Sequence, residues 1–302
     1  MTFEEAVKLY ERPLNELLKE SKRIKERWHD KSFDFCTIIN GKNGRCSEDC
    51  KYCAQSAHYK CDVDSYGLLS RETVLKDALT IESKGIGKYS IVTSGKRVTS
   101  SELDALCEIY SELAHKSELN LCASHGLLAY EDFVQLREAG VRRIHNNLET
   151  SRRYFQEICT THTYDEKIQT IKDAKRAGLE VCSGGIIGMG ETREDRVALA
   201  FELKELGITS VPINLLSPIE GTPIEHITPI TEEEFYKTCA IFRLILPKAV
   251  IRLAGGRGLL SDRGEVLFKH CINGAITGEL LTTSGNDTVN DQAMMRRLGY
   301  EI

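Results

Sequence analysis

A (β/α)8 barrel is the fold class this sequence predicts, and three observations predict it. Short apolar runs bounded by turn residues alternate with amphipathic helical runs along most of the chain. Eight runs of the first kind can be counted, and strict alternation of strand and helix implies a parallel sheet. Eight such units within 302 residues also match the size at which a parallel sheet closes on itself. A doubly wound open sheet is the other solution for alternating units, but it usually has fewer strands.

The elements follow in order. Residues 3–28 read as one amphipathic helix, with Phe3, Ala6, Val7, Tyr10, Leu14, Leu17, Leu18 and Ile24 recurring at helical spacing. Strand-like runs occupy 33–39, 88–93, 120–123, 141–147, 180–187, 210–216, 249–253 and 271–276. Helical runs lie near 71–84, 100–117, 130–138, 164–177, 192–206, 231–246 and 258–268. Ala139-Gly140, Ala177-Gly178 and Leu206-Gly207 end three of them in the manner of helix C-caps. Thr231 and Glu234 have the spacing of a capping box. With no linker or low-complexity tract, the chain reads as a single barrel domain, 1–302, with a helical extension over 1–30 and the barrel and C-terminal segment over 31–302.

Composition narrows the function. The net charge of −5 gives no basic footprint for nucleic acid. Met1-Thr2-Phe3-Glu4-Glu5 does not begin a charged-then-apolar signal, and no apolar run reaches about 18 residues, so a cytoplasmic protein is expected. Eleven cysteines are then many. Metal ligation in a reducing compartment explains them better than disulfides.

Three of them fall within eight residues, Cys46-Ser47-Glu48-Asp49-Cys50-Lys51-Tyr52-Cys53, spaced C-x3-C-x2-C. A structural zinc knuckle would need a second ligand pair, and His58 lies outside the usual spacing. Three adjacent thiols cannot all pair as disulfides. Three thiolates can hold a cubane [4Fe–4S] cluster and leave one iron open for a small chelating molecule. This spacing, with an aromatic residue before the last cysteine, resembles the signature of the radical S-adenosylmethionine (SAM) superfamily. That resemblance implies SAM on the open iron and its reductive cleavage to a 5′-deoxyadenosyl radical.

The loop follows the first strand, at the end where barrel enzymes carry out their chemistry. Cys36, Cys122 and Cys182 lie on the first, third and fifth strands and Arg252 on the seventh. Alternate strands contribute the four side chains of a barrel layer, so these four residues are expected to converge on the axis. Buried free cysteines are usually small hydrophobes, but a buried guanidinium needs a charged partner. A second, anionic iron–sulfur cluster would serve all four.

Longer motifs resemble the biotin synthase family. They are Asn43–Ser56, His145-Asn146-Asn147-Leu148-Glu149-Thr150, Val181–Glu191, Ser210–Leu216, Gly221-Thr222-Pro223, Ile251–Arg257 and Leu280-Leu281-Thr282-Thr283, in family order over nearly the whole chain. The resemblance implies an enzyme, a sulfurtransferase that inserts sulfur into dethiobiotin to form biotin. Two SAM molecules are consumed, and an auxiliary cluster, usually [2Fe–2S] on three cysteines and an arginine, gives up the sulfur. It also implies a flavodoxin- or ferredoxin-type electron donor and a homodimer.

The chain departs from that pattern at one point. Cys122, Cys182 and Arg252 match the family's auxiliary ligands, but Ser90 replaces the second-strand cysteine and Cys36 is additional. We read the ligand as having moved, which gives a different cluster geometry, with a four-iron cluster carrying an extra sulfide as the alternative to [2Fe–2S]. Cys61 and Cys271 are reserve ligands; Cys107, Cys159 and Cys239 read as structural thiols.

Within the resemblance, Gly184, Gly185 and Ile186 line the SAM adenosine. By position Glu149 can accept from ribose hydroxyls and Lys167 can pair with the SAM carboxylate, a surface carboxylate and lysine being the alternative, and Tyr52 either stacks near adenine or packs beside the cluster. A glycine-rich turn also allows a ligand close to the backbone. Asn147 and Asn214 are amides in apolar strands and need partners, which the ureido ring of dethiobiotin offers; His145 either joins them or is a satisfied core histidine. No residue is expected to act as a catalytic acid or base. A radical SAM barrel of the hydrogenase-maturase or methylornithine-synthase kind is the alternative enzyme, but it would not need the inner cysteine-arginine layer. An iron–sulfur storage or scaffold protein would not need a SAM pocket.

Overall fold

Successive side chains of a strand leave opposite faces, and this two-residue repeat gives the barrel wall two chemistries. The computed structural model describes residues 1–278, 281 and 285–302. Of the Leu280-Leu281-Thr282-Thr283 motif only Leu281 lies among them. The strands are β1 (Asp34–Lys42), β2 (Lys88–Thr93), β3 (Asn120–Ser124), β4 (Arg143–His145), β5 (Glu180–Cys182), β6 (Gly185–Ile187), β7 (Ser210–Leu215), β8 (Val250–Leu253) and β9 (Gly274–Ile276). All pairings between them are parallel, in the order β5-β4-β3-β2-β1-β9-β8-β7-β6, and β5 pairs again with β7. β5 and β6 are two halves of the fifth predicted strand, broken at Ser183-Gly184, so the sheet closes as the eight-stranded barrel expected.

Residues at every second position face inward. Cys36 and Ile38 of β1, Ser90 and Val92 of β2, Cys122 and Ser124 of β3, Arg143 and His145 of β4, Pro212 and Asn214 of β7, and Arg252 of β8 line one interior cavity. Their neighbours Tyr89, Ile91, Leu121, Ala123, Ile144, Val211, Ile213, Ile251 and Leu253 belong to the hydrophobic core outside the wall. Burying a side chain of this kind is worth about 1.5–3 kcal/mol. The register is therefore pinned, because a slip of one residue would turn the apolar set inward and the polar set outward.

The covering helices are α1 (Phe3–Lys8), α2 (Leu14–Trp28), α3 (Arg71–Ser83), α4 (Ser100–Lys116), α5 (Tyr130–Glu138), α6 (Arg152–Ile158), α7 (Tyr164–Arg176), α8 (Arg193–Glu205), α9 (Glu232–Ile245), α10 (Glu265–His270) and α11 (Thr288–Arg297). Their buried faces have helical spacing, as with Leu103, Leu106, Ile109, Tyr110 and Leu113 of α4. Gly140 and Gly178 follow α5 and α7 with φ of 102° and 85°, as the C-cap expectation requires. None of the described helices is long and apolar enough to cross a membrane.

Several boundaries differ from expectation. The N-terminal helix is two helices, because Pro13 has no N–H to continue the first and serves as the N-cap of α2. The run at 258–268 shrinks to α10, whose start is set by left-handed Gly264 (φ 85°). α6 and α11 were not expected from periodicity. Thr231 caps α9 by accepting from Glu234 N at 3.2 Å, but the box is only half formed. The Glu234 carboxylate turns to Arg193 and Arg196 instead (2.7–2.9 Å), since two guanidinium donors outbid one backbone N–H.

Candidate active site

Cys46, Cys50 and Cys53 follow β1 on a loop that folds on itself. Cys46 N donates to Gln55 O (2.9 Å), Ala57 N to Cys46 O (2.8 Å) and Cys53 N to Cys50 O (3.0 Å). All three thiols are half-buried and line the same cavity, of about 420 Å³, as the inner residues. Burial pushes Cys46 up and Cys53 up to about 11. Cys50 is raised by its hydrogen bond to Cys159 and then by burial. Thiols held neutral this way become ligands only when a cationic centre stabilises their thiolates. An iron–sulfur cluster in the cavity fits that requirement.

Cys36, Cys122, Cys182 and Arg252 all reach the cavity. The thiols of Cys36 and Cys122 act on each other, which lowers Cys36 against burial, with Arg252 helping, and raises Cys122. Cys182 is linked to Arg252 through Ser210. The Ser210 hydroxyl is 3.2 Å from Cys182 Sγ, and Arg252 Nη2 donates to Ser210 Oγ at 3.2 Å. Burial would raise Cys182, but His145, Arg252 and Ser210 outweigh it and leave it lowered. Arg252 is 2% exposed. Its Nη1 donates to Asp34 Oδ1 at 2.9 Å, and Lys88 shares the same carboxylate. Arg252 Nε is buried without a partner. An orphaned donor on a residue that shares its cavity with three thiols is what a bound anionic cluster would satisfy. Ser90 lines the same cavity, in register with Cys122.

The other expected residues are also placed. Tyr52, Glu149, Lys167, Ile186, Asn147, Asn214 and His145 line the cavity. Glu149 has a left-handed backbone, φ 72°, and its carboxylate meets Asn147 Nδ2 (3.3 Å) and the Tyr52 hydroxyl. Lys167 Nζ donates to Asn147 O at 2.9 Å. The two asparagines are largely used by the wall itself. Asn147 Oδ1 accepts from Gly184 N (3.0 Å), while Asn214 Oδ1 accepts from Gly255 N (2.8 Å) and its Nδ2 donates to Gly185 O (3.0 Å). Burial pulls His145 down but the neighbouring Cys182 thiol leaves it raised. Gly184 and Gly185 owe their identity to neighbouring backbone. A Cβ would sit 1.8 Å from Pro212 O at the first and 2.3 Å from Glu149 O at the second. Cys61 and Cys271 are not among the cavity residues.

Four partners were not foreseen. Asp34 and Ser210 hold Arg252. Cys159, read as a structural thiol, has Sγ 3.8 Å from Cys50 Sγ. His162 Nδ1 lies 2.6 Å from Glu48 Oε2. The Cys159–His162 spacing was the available signal for the last pair. Nothing in the linear sequence brings Asp34 to Arg252.

The closed barrel with a three-cysteine loop at the end of its first strand defines the class, a radical SAM enzyme, which works with a [4Fe–4S] cluster and SAM. Residues 42–203 match the Radical SAM superfamily, and residues 212–301 match the Biotin and Thiamin Synthesis associated domain. The chain belongs to the biotin synthase family. It is 53% identical over 298 residues to the biotin synthase of Clostridium botulinum (strain Alaska E43 / Type E3), covering 99% of this chain and 94% of that one. The biotin synthase of Akkermansia muciniphila is 51% identical over 299 residues, covering 99% and 93%. The fold matches the crystal structure of methylornithine synthase with a TM-score of 0.86 at 16% identity, covering 99% of this chain and 93% of that one. The FeFe-hydrogenase maturase HydG of Carboxydothermus hydrogenoformans matches with a TM-score of 0.86 at 15% identity, covering 99% and 75%. At those identities the two likenesses speak for the fold alone.

Proposed function

We propose that this chain is a sulfurtransferase that converts dethiobiotin to biotin, with Cys46, Cys50 and Cys53 holding the SAM-cleaving cluster and Cys36, Cys122, Cys182 and Arg252 holding the auxiliary cluster. One observation carries the reading: both cysteine sets open into one cavity of about 420 Å³, large enough for small ligands between them. When bound, the outer cluster supplies the electron that cleaves SAM, and the inner one supplies sulfur.

The chain's own residues position and enclose. The left-handed backbone at Glu149 turns its carboxylate into the cavity beside Tyr52, where it can accept from ribose hydroxyls. Lys167 makes no ion pair among the described residues and keeps N–H donors for a carboxylate. Asn147 and Asn214, braced by backbone bonds, present their remaining amide capacity to a ureido ring at fixed angles. Asp34 and Ser210 occupy both terminal nitrogens of Arg252 and leave Nε free to donate to an inner cluster. The wall excludes water from reactive intermediates. No residue is assigned as an acid or base.

The replacement of a second-strand thiol by Ser90, with Cys36 in contact with Cys122 instead, supports a four-iron inner cluster carrying an extra sulfide. About eight irons per reconstituted chain are then expected, and about six would count against that nuclearity. The same reading carries a flavodoxin- or ferredoxin-type electron donor, a homodimer, one barrel domain and a cytoplasmic location. The test of function is direct. Reconstituted protein with SAM, reductant and dethiobiotin should yield biotin together with 5′-deoxyadenosine. Deoxyadenosine without biotin would overturn the sulfur-insertion reading and leave a radical SAM enzyme acting on another substrate.

A further inference from the structure

Among the described residues, one group of three metal-ligating atoms lies within 4.8 Å of one another: Cys50 Sγ, Cys159 Sγ and a ring nitrogen of His162. Only Cys50 belongs to the cluster motif. Cys159 ends α6 as its C-cap, and His162 directly precedes Thr163, the N-cap of α7. The connecting turn is stitched to the cluster loop. Asp49 Oδ1 accepts from Thr160 N (2.8 Å) and Thr161 N (3.2 Å), and Lys51 N donates to Ile158 O (2.9 Å). Two helix ends and five residues of loop are thereby held in one register before any ion arrives.

The two thiols have the spacing of a tetrahedral ion site. With Zn–S near 2.3 Å, two sulfurs on one tetrahedral zinc lie about 3.8 Å apart, and a sulfur and an imidazole nitrogen about 3.6 Å apart. Cys50 Sγ and Cys159 Sγ are 3.8 Å apart, as on one zinc ion; Cys159 Sγ is 3.3 Å from His162 Nδ1 and 3.8 Å from Nε2, so the imidazole is within reach of both thiols and turns to aim Nε2 at a shared ion. His162 Nδ1 is 2.6 Å from Glu48 Oε2, so Nδ1–H donates to the carboxylate and Nε2 carries the free lone pair. That is the carboxylate–histidine arrangement which orients metal-bound imidazoles. Glu48 is itself held by Thr161 Oγ1 at 2.8 Å and Ser47 Oγ at 3.0 Å.

We propose that the cluster-free chain binds one zinc ion through Cys50, Cys159 and His162, with Glu48 as the outer partner of the histidine and water in the fourth position. Two thiolates and an imidazole suit zinc among divalent ions. Because Cys50 belongs to both sets, this ion and the SAM-cleaving cluster exclude each other. The site neither uses nor requires the function proposed above.

The test uses full-length protein stripped of iron, with its thiols reduced, and Co2+ as the spectroscopic probe. One Co2+ per chain with tetrahedral visible bands and thiolate charge transfer is expected. Cys159→Ser and His162→Gln should each weaken binding at least as much as the roughly 10- to 100-fold that loss of an outer partner costs. The double variant Cys46→Ser/Cys53→Ser should bind as the parent does. The opposite pattern, binding lost in the double variant and kept in Cys159→Ser, would place the ion on the motif cysteines and overturn the proposal. X-ray absorption on the zinc form of the parent protein decides without any variant: two sulfurs with nitrogen or oxygen support the site, and three sulfurs refute it. Zinc should also slow cluster reconstitution in the parent and much less in Cys159→Ser. No arm depends on turnover, so a negative result here leaves the biotin reading intact, and failure to make biotin leaves this site intact.

Discussion

The outer and inner cysteines reach one cavity by opposite routes. Cys46, Cys50 and Cys53 sit within eight residues of a single loop, half-buried, held by that loop's own backbone bonds. Cys36, Cys122 and Cys182 sit on three strands and meet only because β1, β3 and β5 close into a wall. The loop set needs no counter-charge from the protein, since its thiols stay neutral until a cation arrives. The wall set carries a permanent cation, Arg252, and therefore also a carboxylate, Asp34, to hold it. A binding set made by local chain is tolerant of its surroundings; one made by the fold brings a charge network with it.

The largest expected effect tests the outer set. Cys46→Ala should abolish SAM cleavage, read as 5′-deoxyadenosine, while leaving the inner iron in place. Loss of both irons together would show that the two sets do not load independently. Next, Cys36→Ser should remove biotin formation while slow deoxyadenosine production persists, with iron per chain falling. Adding Ser90→Cys to that variant returns a third thiol next to Cys122 and should recover inner-site iron. If Cys36→Ser alone keeps full iron, Cys36 is not a ligand.

A third measurement concerns the charge network. Asp34→Ala leaves Arg252, 3% exposed at its side chain, without its carboxylate. Removing one partner of such a buried pair costs about 3–5 kcal/mol, to be read by denaturant unfolding of the cluster-free protein. A cost under about 1 kcal/mol would mean that Ser210 and the backbone carbonyl of residue 34 suffice to hold the guanidinium. The smallest effect concerns the wall that carries Cys122. Three residues on, His125 lies between Thr93 Oγ1 and Tyr110 Oη, each 3.0 Å away, and burial pushes it down to about 3. Its folded value lies below its unfolded one. The unfolded chain therefore binds the extra proton below about pH 6.5, and stability falls as pH drops through that window. From pH 7 to 5 the loss from this residue should be about 2 kcal/mol. His125→Gln should flatten that part of the profile.

The two sets also differ in how far they could be read in advance. The strand count, the barrel and the outer loop were legible because each is a local pattern: alternation of period two, helical repeats, cysteines at short spacing. The inner cysteines were legible because alternate strands of a barrel share layers. The partners were not. Asp34 was not singled out within the first strand, and Cys159 read as a structural thiol although Cys159 and His162 had metal-ligand spacing. Gly184 and Gly185 read as room for a ligand, whereas the crowding comes from Pro212 O and Glu149 O of the neighbouring backbone. Asn147 and Asn214 read as amides in need of partners, and most of their bonding goes to the wall.

By itself the sequence determined the periodicities, and with them the barrel, the inward cysteines and the loop with its three thiols, because those depend on spacing along the chain. Tertiary structure alone decided which charges meet: Arg252 with Asp34, Cys182 with Ser210, Cys50 with Cys159. Pairing of that kind depends on distance through space, and a closed sheet brings together residues whose separation along the chain carries no trace of it.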